Sequence, residues 1–319
     1  MLEANLDANT PEPGDKMRLS AGRKAEILIE ALPYIRSLSG KTIVIKYGGN
    51  AIRNQELLRS VMEDITLLKY VGINPVLVHG GGPDISAALE AAGIENEFKD
   101  GLRVTSREAM EVISEVILGK TNAGIVSMIN ACGGKGIGLS GYDGSLLLCR
   151  RLAYNETGEP VDLGFVGEVR RVNTELIDTL SELGYVPIIA PIAVDEEGRA
   201  YNVNADQAAS EVAVALGAEK LMTLTNVPGV MGKDKEGREI IYPVLVETEV
   251  EELIARGVIN GGMIPKVRSA LDTVRRGVGR THILDGTIPH ALLLEIFPHT
   301  GIGTMIMQKR RPYHPGEKI

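Results

Sequence analysis

Two glycine-rich segments that carry a lysine or a histidine are the first candidates for chemistry in this chain of 319 residues. Lys46-Tyr47-Gly48-Gly49-Asn50 follows one short apolar run, and His79-Gly80-Gly81-Gly82-Pro83 follows another. Glycine lets a ligand approach the backbone closely, and the free N–H groups of a helix N-terminus favour anions. If both runs are strands of one sheet, the two segments predict an anion-binding edge.

Three further segments add charged or polar side chains of the kind that such a site needs. Gly101-Leu102-Arg103-Val104-Thr105 contains an arginine, whose planar guanidinium can clamp a carboxylate or a phosphate through two hydrogen bonds. Asn202 and Asp206 lie near the predicted start of a helix. Gly261-Gly262-Met263-Ile264-Pro265-Lys266 is a second glycine turn that delivers a lysine. Together these residues predict a site for anionic ligands.

Each of these features alone also has a structural explanation. A lysine at a strand end is usually solvated, and Asp206 could merely support the first turn of its helix. Asn204 is a candidate N-cap, since its side-chain oxygen can accept from the first free N–H groups of the helix. For His79 we predict a hydrogen-bonded structural role rather than that of a base.

Two other glycine patterns do not have the context that their function requires. Residues 114–121 end in Gly-Lys-Thr like a P-loop, but Ser114 replaces the first glycine and the stretch has a helical pattern. A P-loop needs a strand that feeds a glycine-rich turn. Residues 136–141 have the spacing of a dinucleotide fingerprint, but they fall within a predicted strand. A nicotinamide-dependent dehydrogenase is therefore a distant alternative.

Short apolar runs alternate with helical patterns along most of the chain. We predict strands at residues 42–46, 75–79, 136–140, 146–151, 186–190, 221–225, 281–284 and 302–307. We predict helices at residues 19–35, 55–70, 84 onward, 106–118, 121–131, 205–216, 263–276 and 289–296. Pro33 should kink or end the first of them. The alternation is typical of an α/β fold whose mainly parallel sheet is covered on both faces, with ligands at the carboxyl ends of the strands.

Composition limits the classes of function. Hydrophobic residues make up 44% of the chain and charged residues 24%, which excludes disordered and collagen-like proteins. The net charge of −8 argues against a nucleic-acid partner, which usually requires a basic face. Cys132 and Cys149 cannot form a disulfide framework, and no apolar run is long enough to span a membrane. Residues 1–17 predict a flexible arm rather than a signal peptide. We therefore predict a cytoplasmic enzyme or ligand-binding protein with two lobes.

These segments, together with Asn202-Val203-Asn204-Ala205-Asp206-Gln207 and Leu224-Thr225-Asn226-Val227-Pro228-Gly229-Val230, resemble the motifs of the amino acid kinase family. They are most similar to its members that phosphorylate N-acetyl-L-glutamate, and the resemblance covers residues 41–307. It implies a three-layer αβα sandwich with a mainly parallel central sheet. It also implies an N-terminal arm and interchain helix at 1–40, an acyl-substrate lobe at 41–215 and a nucleotide-binding lobe at 216–319.

The activity that the resemblance implies is phosphoryl transfer from ATP to the γ-carboxylate of N-acetyl-L-glutamate. By the same resemblance, Lys46 and Lys266 would stabilise the transferring group, and Asp206 would hold both lysines in place. The acyl substrate would contact Gly81, Gly82, Arg103 and Asn202. The nucleotide would contact Gly48, Gly49, Asn226, Val227, Pro228, Gly229, Val230, Met231, Val258, Ile259 and Asn260. Mg²⁺ would arrive on the ATP phosphates without a dedicated protein metal site.

The expected reaction explains why no Ser/His/Asp or Cys/His set is apparent. A carboxylate acceptor has an ordinary pKa of about 4.3, so it is ionised at neutral pH and needs no general base. The reaction instead needs two anions to be aligned and their repulsion cancelled, which lysines and backbone N–H groups can do. One departure from the family pattern is Asn226, where many members have Asp. The change removes a negative charge near the nucleotide.

Regulation and assembly are further implications of the resemblance. Arginine-inhibited members link dimers into a hexameric ring through an N-terminal helix, which the helix near residues 18–36 resembles. Residues 290–295 and 301–304 also resemble the arginine-sensitive type. The resemblance thus implies inhibition by L-arginine at a site between the N-terminal helix and the C-terminal lobe. A PII-type signalling protein is a further candidate partner.

Other functions on the same fold stay open. A kinase for another carboxylate, such as aminoadipate carried on a protein, would share these motifs. A non-catalytic arginine sensor would also share them, although intact Lys46, Asp206 and Lys266 favour retained catalysis. Aspartokinase is disfavoured because the chain after Lys266 is too short for its regulatory modules. Fewer of the loops of carbamate and uridylate kinases are recognisable.

Overall fold

The structure is a computed structural model that describes residues 20–154, 158–233 and 236–312, without the side chains of residues 50 and 51. The predicted arm at 1–17 lies outside these ranges. The strands are β1 (Thr42–Tyr47), β2 (Asn74–His79), β3 (Phe98–Lys99), β4 (Leu102–Arg103), β5 (Gly136–Leu139), β6 (Leu147–Arg151), β7 (Gly167–Val172), β8 (Val186–Ile189), β9 (Ile192–Val194), β10 (Ala200–Asn202), β11 (Lys220–Thr225), β12 (Met231–Lys233), β13 (Glu239–Ile241), β14 (Val244–Val246), β15 (Arg280–Asp285) and β16 (Thr304–Met307).

The helices of the described residues surround these strands. They are α1 (Ala21–Leu38), α2 (Gln55–Tyr70), α3 (Gly82–Ala91), α4 (Arg107–Ser114), α5 (Ala123–Ala131), α6 (Glu175–Glu182), α7 (Ala205–Ala215), α8 (Glu247–Ala255), α9 (Met263–Arg275) and α10 (Ala291–Ile296). A π-helical segment (Glu115–Asn122) joins α4 to α5, and 3-10 turns are formed by Gly49–Arg53 and Asp143–Ser145.

The central sheet of the described chain has eight strands in the order β14-β16-β15-β11-β1-β2-β8-β5. Neighbouring strands are parallel except for β15 and β16, so β14 and β16 run opposite to the other six. Tyr47 is in register with His79 of β2 and with Leu224 of β11. The carboxyl ends of these three strands therefore lie side by side at one edge, as predicted from the sequence.

Strand β1 shows why the sheet reads as continuous apolar runs in the sequence. Ile43, Ile45 and Tyr47 pack into a buried cluster with α2, α5 and α10 on one face. Val44 packs into a second cluster with α7 on the opposite face. Burying one such aliphatic side chain contributes about 1.5–3 kcal/mol, so both faces of the sheet stabilise the fold. Because side chains alternate along a strand, Lys46 lies on the same face as Val44.

Three smaller sets of strands in the described chain extend the fold around this sheet. A four-stranded sheet has the order β10-β9-β6-β7, with β6 and β9 parallel and the outer pairs antiparallel. The hairpins β3–β4 and β12–β13 stand alone. The three-layer α/β architecture with a mainly parallel sheet is confirmed. The division into lobes at residue 215 stays a prediction, and β11 pairs with β1 across it.

Local sequence rules predict some elements incorrectly. Pro33 does not end α1, which continues to Leu38, and a kink at Pro33 stays a prediction. Tyr34 and Leu38 are buried, and their packing outweighs the hydrogen bond that proline removes. The rejected glycine patterns fall as expected, since residues 115–122 are helical and Gly136–Leu139 is a strand. The sequence prediction omits β7, β9, β10, β14, α6 and α8 as well as both hairpins.

The two helices predicted at 106–118 and 121–131 form one continuous helical stretch through the π-helical segment. This stretch, Arg107–Ala131, has the length and composition of a membrane span, with a mean hydropathy of 1.3. Its apolar side chains nevertheless pack into the interior. Ile113 and Ile117 join a cluster with α3, and Ile125 and Ile129 join the cluster around α2. These four side chains belong to the core of the described chain, and 33% of the most apolar window of the stretch is buried.

Candidate active site

An ion pair lies at the carboxyl edge of the central sheet, between β1 and α7. Lys46 Nζ is 2.9 Å from Asp206 Oδ1, and the two side chains are 13% and 43% exposed. Asp206 occupies the first turn of α7, and Asn204 is the N-cap, accepting from the N–H groups of Asp206 (2.9 Å) and Gln207 (3.2 Å). The predicted N-cap is thus confirmed. Because Asn204 satisfies these N–H groups, the Asp206 carboxylate is available to Lys46.

Glycines allow the two loops of the predicted anion site to meet. A Cβ on Gly48 would lie 3.1 Å from Lys46 Nζ and 3.7 Å from the Cα of Gly80. A Cβ on Gly81 would clash with the Cδ1 methyl of Ile117. Space beside Gly82 is open, and this residue begins α3, whose first N–H groups lack an intrahelical acceptor. The two loops therefore meet beside Lys46, and the second of them leads into the free N–H groups at the start of α3.

His79 is a structural residue at the same edge. Its ring is buried, with Nδ1 2.9 Å from the Gly80 carbonyl and Nε2 3.0 Å from Asn122 Nδ2. Since Asn122 Nδ2 is a donor, Nε2 accepts and Nδ1–H donates to Gly80. Burial lowers the pKa of His79 to about 4. The imidazole is consequently neutral at physiological pH and has no free lone pair for base catalysis.

Arg103 and Asn202 are joined through Thr105. Arg103 is 7% exposed, and its guanidinium donates to the Gly82 carbonyl at 3.3 Å. Thr105 Oγ1 donates to the Arg103 carbonyl at 2.9 Å and accepts from Asn202 Nδ2 at 3.3 Å. Burial lowers the pKa of Arg103 below its ordinary value, but a guanidinium stays charged in proteins. The structure thus brings three predicted substrate residues together: Gly82, Arg103 and Asn202.

Lys266 lies in the first turn of α9 and is half-buried. Helices α7 and α9 precede the neighbouring parallel strands β11 and β15, so their N-termini lie at the same edge of the sheet as Lys46. Within the described residues, Asp206 forms an ion pair with Lys46 and none with Lys266 inside 4.0 Å. The structure therefore shows one of the two predicted lysine–aspartate contacts, and the role of Lys266 stays a prediction.

The predicted nucleotide segments pack against each other. Val230 and Ile259 belong to one buried cluster with α8 and α9, and Val227 and Val258 pack against its surface. The Val230 N–H donates to Thr304 Oγ1 at 2.8 Å. Gly229 has a φ of +147°, and a Cβ there would lie 2.6 Å from the same hydroxyl. Asn226 and Met231 are exposed on this loop, and Pro228 lies between them.

The remaining segment of that group, Val258 to Asn260, follows α8 directly, and Asn260 Nδ2 donates to the Gly257 carbonyl at 3.1 Å. Gly49 lies in the other loop, with a φ of +72° at the start of a 3-10 turn. Positive φ favours glycine, so this turn fits the residue type at that position. Contacts of these residues with a nucleotide stay predictions.

Comparison with known proteins identifies the family of the chain. The profile described as "Amino acid kinase family" matches residues 41–285. The chain belongs to the amino acid kinase family. It is 54% identical over 283 residues to the acetylglutamate kinase of Caldicellulosiruptor bescii, covering 89% of this chain and 96% of that protein. It is 50% identical over 296 residues to the acetylglutamate kinase of Acinetobacter baumannii, covering 91% and 97%.

Several solved structures have folds similar to that of this amino acid kinase. The N-acetylglutamate synthase of Neisseria gonorrhoeae, complexed with coenzyme A and N-acetyl-glutamate, matches with a TM-score of 0.77 and 26% identity over 90% of this chain. This chain spans only 64% of that synthase chain. The same synthase complexed with L-arginine matches with a TM-score of 0.74 at 26% identity, covering 89% of this chain and 65% of the synthase. Giardia carbamate kinase matches at 18% identity with a TM-score of 0.60, covering 85% of this chain and all of that one, and supports the fold alone.

Charged residues absent from the sequence prediction also border the site of this amino acid kinase. Arg53 Nη2 donates to the Pro83 carbonyl at 2.7 Å, and its Nε is 3.4 Å from Asp84 Oδ1. Lys120 Nζ is 3.2 Å from the same carboxylate oxygen. Arg53 therefore ties the loop after β1 to the loop after β2. No spacing signal in the sequence connects these three charged residues, because they come from separate elements.

Proposed function

We propose that this amino acid kinase transfers the γ-phosphoryl group of ATP to the γ-carboxylate of N-acetyl-L-glutamate, giving N-acetyl-L-glutamyl 5-phosphate for arginine biosynthesis. The acetylglutamate kinases that share about half of its residues over nearly their whole length support this activity. The observation that carries the chemistry is the Lys46–Asp206 pair at the edge where two glycine loops meet. A lysine that a carboxylate orients at the meeting point of two glycine loops suits a phosphoryl group in transfer.

The mechanism requires positioned positive charge and no general base. The γ-carboxylate of the acceptor is ionised at neutral pH and can attack the phosphorus directly. As the phosphoryl group moves, its charge spreads over three oxygens, and lysine ammonium groups stabilise that charge. Lys46 donates from one side while Asp206 fixes its orientation. Lys266 donates from the start of α9 on the nucleotide side, so that the two lysines flank the transferring group.

The substrate contacts follow from the charges of the site. Arg103 binds the α-carboxylate of N-acetyl-L-glutamate, and Asn202 binds the acetamido group from the Thr105 side. The N–H groups of Gly81 and Gly82 contact the acyl substrate. The loop at 226–231 and the segment at 258–260 surround the nucleotide, with Gly48 and Gly49 at its phosphates.

Mg²⁺ enters as part of the nucleotide substrate. Among the residues that the structure describes, no group of three or more His, Cys, Asp or Glu side chains is arranged to hold a metal ion. Asp206, the carboxylate at the centre of the site, is occupied by Lys46. The expectation for Mg²⁺ rests on its preference for phosphate oxygens and water as ligands.

An ADP-release assay with MgATP tests the proposed activity. N-Acetyl-L-glutamate is compared with glutamate, aspartate, carbamate and uridylate, and hydroxylamine traps any acyl phosphate. We expect turnover with N-acetyl-L-glutamate and its loss in Lys46→Ala. Turnover with another acceptor alone would keep the mechanism and refute the substrate, and silence with all acceptors would favour a non-catalytic sensor.

We also propose that L-arginine inhibits the enzyme at a site between α1 and the C-terminal lobe. A pocket there is lined by Glu26 and Glu30 of α1 and by His299. A carboxylate is the group that a guanidinium binds most strongly. Support comes from the similar synthase that was solved with L-arginine. An unchanged rate at saturating arginine would refute the proposal, and Glu30→Gln should lower the sensitivity without lowering the uninhibited rate.

The exposed face of α1 supports assembly of several copies. Ile27, Leu28, Ile29 and Leu32 are 44%, 71%, 68% and 46% exposed, so this helix presents an apolar stripe. We propose that α1 pairs with α1 of another copy and links dimers into a hexamer. Sedimentation should show a hexamer that Leu28→Asp reduces to dimers, and a wild-type monomer would refute the assembly. The cytoplasmic location and a PII-type partner stay predictions.

A further inference from the structure

The guanidinium of Arg103 is enclosed by neutral groups. Its Nη1 donates to Asn96 Oδ1, and its Nη2 donates to Ser86 Oγ at 3.1 Å and to the Gly82 carbonyl at 3.3 Å. The ring of Phe98 lies 4.5 Å from the guanidinium carbon. These four neutral partners, which we call the Arg103 enclosure, come from α3 and from the segment that leads into the β3–β4 hairpin.

Backbone geometry fixes Phe98 opposite Arg103. The hairpin turns at Asp100 and Gly101, whose φ angles are +52° and +78°, and this turn conformation pairs Phe98 directly with Arg103 across the strands. Directly opposed residues on a hairpin have neighbouring side chains, so the aromatic ring covers the guanidinium. Phe98 itself is 53% exposed, whereas Arg103 is 7% exposed. Phe98 and Asn96 therefore form the outer wall of the enclosure.

The enclosure leaves the charge of Arg103 unmatched. Among the described residues, no carboxylate lies within 4.0 Å of its guanidinium, although Glu95 and Glu97 flank Asn96 in the sequence. A buried cation without an anionic partner is unfavourable, and hydrogen bonds to neutral oxygens offset only part of that cost. The missing negative charge corresponds to one ligand carboxylate.

We propose that Asn96 and Phe98 are positioning residues for the carboxylate of the acyl substrate. They hold the plane of the Arg103 guanidinium, and because both are neutral they leave its charge without an anionic partner until the substrate binds. The inference rests on the proposed function and adds two residues that do not themselves touch the reacting atoms. An Asp at position 96 would have nearly the same shape but would pair with Arg103 and compete with the substrate.

Steady-state kinetics of the full chain test this competition. We expect Asn96→Asp to raise the KM for N-acetyl-L-glutamate by about 30-fold or more, to change kcat by less than about threefold and to leave the KM for ATP unaltered, because only the carboxylate contact is lost. The thermal midpoint of Asn96→Asp should equal or exceed that of the wild type, since an internal ion pair is gained. If Asn96 had only a structural role, Asn96→Asp would not raise the KM for N-acetyl-L-glutamate while the thermal midpoint is maintained. Lys99→Gln on the same hairpin changes the net charge equally and is the matched control.

The aromatic wall is tested separately. Phe98→Leu should raise the same KM by about fivefold through loss of the ring face over the guanidinium, and Phe98→Tyr should restore it to within about twofold. If the wild type is active and Asn96→Asp leaves KM unchanged, or lowers kcat alone, this inference is wrong while the proposed function stands. A wild type that turns over no carboxylate acceptor overturns both.

Discussion

Replacing Asp206 by Asn isolates the function of the Lys46–Asp206 pair. The substitution keeps the size and a hydrogen-bond acceptor of the side chain but removes its charge. The backbone N–H of residue 206 still donates to Asn204, so α7 keeps its N-cap. The change therefore leaves the start of the helix intact and weakens the 2.9 Å contact to Lys46 Nζ.

Stability and catalysis should respond by different amounts. Asp206 is 43% exposed, so solvent screens the pair, and its loss should cost at most about 1 kcal/mol of folding free energy. In a chain of this length such a loss lowers the thermal midpoint by about 1–2 °C. Misplacing one donor to a transition-state oxyanion costs about 2.7–4 kcal/mol, which corresponds to roughly a 100- to 1,000-fold decrease in kcat.

The two effects can be measured on the same preparation. ADP release at saturating MgATP and N-acetyl-L-glutamate gives kcat, and thermal unfolding gives the stability. Asp178→Asn, the same substitution on the exposed face of α6, is the matched control and should change neither value appreciably. A kcat of Asp206→Asn within threefold of the wild type would refute the orienting role of Asp206. A decrease of the thermal midpoint by much more than the expected amount would instead show that Asp206 is needed for the stability of the fold.

Three further predictions concern the surroundings of the site. Burial lowers the pKa of His79 to about 4 in the folded chain, so the unfolded chain binds more protons between pH 4 and 6.5, and stability falls as pH falls. The free energy of unfolding, measured with urea at pH 7.5 and 5.5, should decrease by about 1.4 kcal/mol more in the wild type than in His79→Gln. Equal decreases in the two proteins would contradict a buried neutral ring. Gly81→Ala should lower the free energy of unfolding by about 1–3 kcal/mol, because the added methyl clashes with Ile117 Cδ1. The second substitution Ile117→Val removes that methyl and should restore most of the thermal midpoint. A double variant no more stable than Gly81→Ala would show that this clash is not the cause. Thr304→Val leaves the Val230 N–H without its acceptor, so it should lower the free energy of unfolding by about 1–3 kcal/mol and raise the KM for ATP selectively. Thr304→Ser keeps the hydroxyl and should change neither quantity. Equal behaviour of the two variants would exclude this role of the hydrogen bond.

Parts of the fold that depend on local chemistry can be predicted from the sequence. The buried strands β1 and β2 lie within one or two residues of their expected bounds, because burial on both faces requires an uninterrupted apolar run. The N-cap at Asn204 follows from the hydrogen-bonding capacity of its side chain. The hydrogen-bonded structural role of His79 follows from its place at the end of a buried strand.

Elements that depend on distant packing cannot be predicted in the same way. Strand β7 carries adjacent arginines and has a partly exposed face, so its apolar signal is weak, and its stability comes from pairing with β6. Proline disfavours a helix interior, but α1 continues past Pro33 because Tyr34 and Leu38 are buried against the rest of the chain. By contrast, α6 has helical spacing of Leu176, Ile177 and Leu180, and the sequence contains the signal that the prediction omits.

The same distinction applies within the site. The position of Lys46 depends on the register of β1, which backbone hydrogen bonds to both neighbouring strands fix. The position of Lys266 depends instead on how α9 packs against α7. That packing includes the Ser210 and Thr273 hydroxyls, which are 2.6 Å apart, and the Arg276–Glu211 pair at 2.6 Å.

One lysine therefore belongs to the rigid sheet and the other to a helix that side-chain contacts hold. Side-chain contacts can rearrange without breaking a strand ladder, so a change in the angle between α7 and α9 would move Lys266 relative to the sheet. In this structure Asp206 contacts only the sheet-borne lysine. If both lysines act on the transferring group, the register of β1 sets the position of Lys46 and the packing of α9 sets the position of Lys266. The motifs in the sequence identify both lysines, but only the packing of the two helices determines the distance between them.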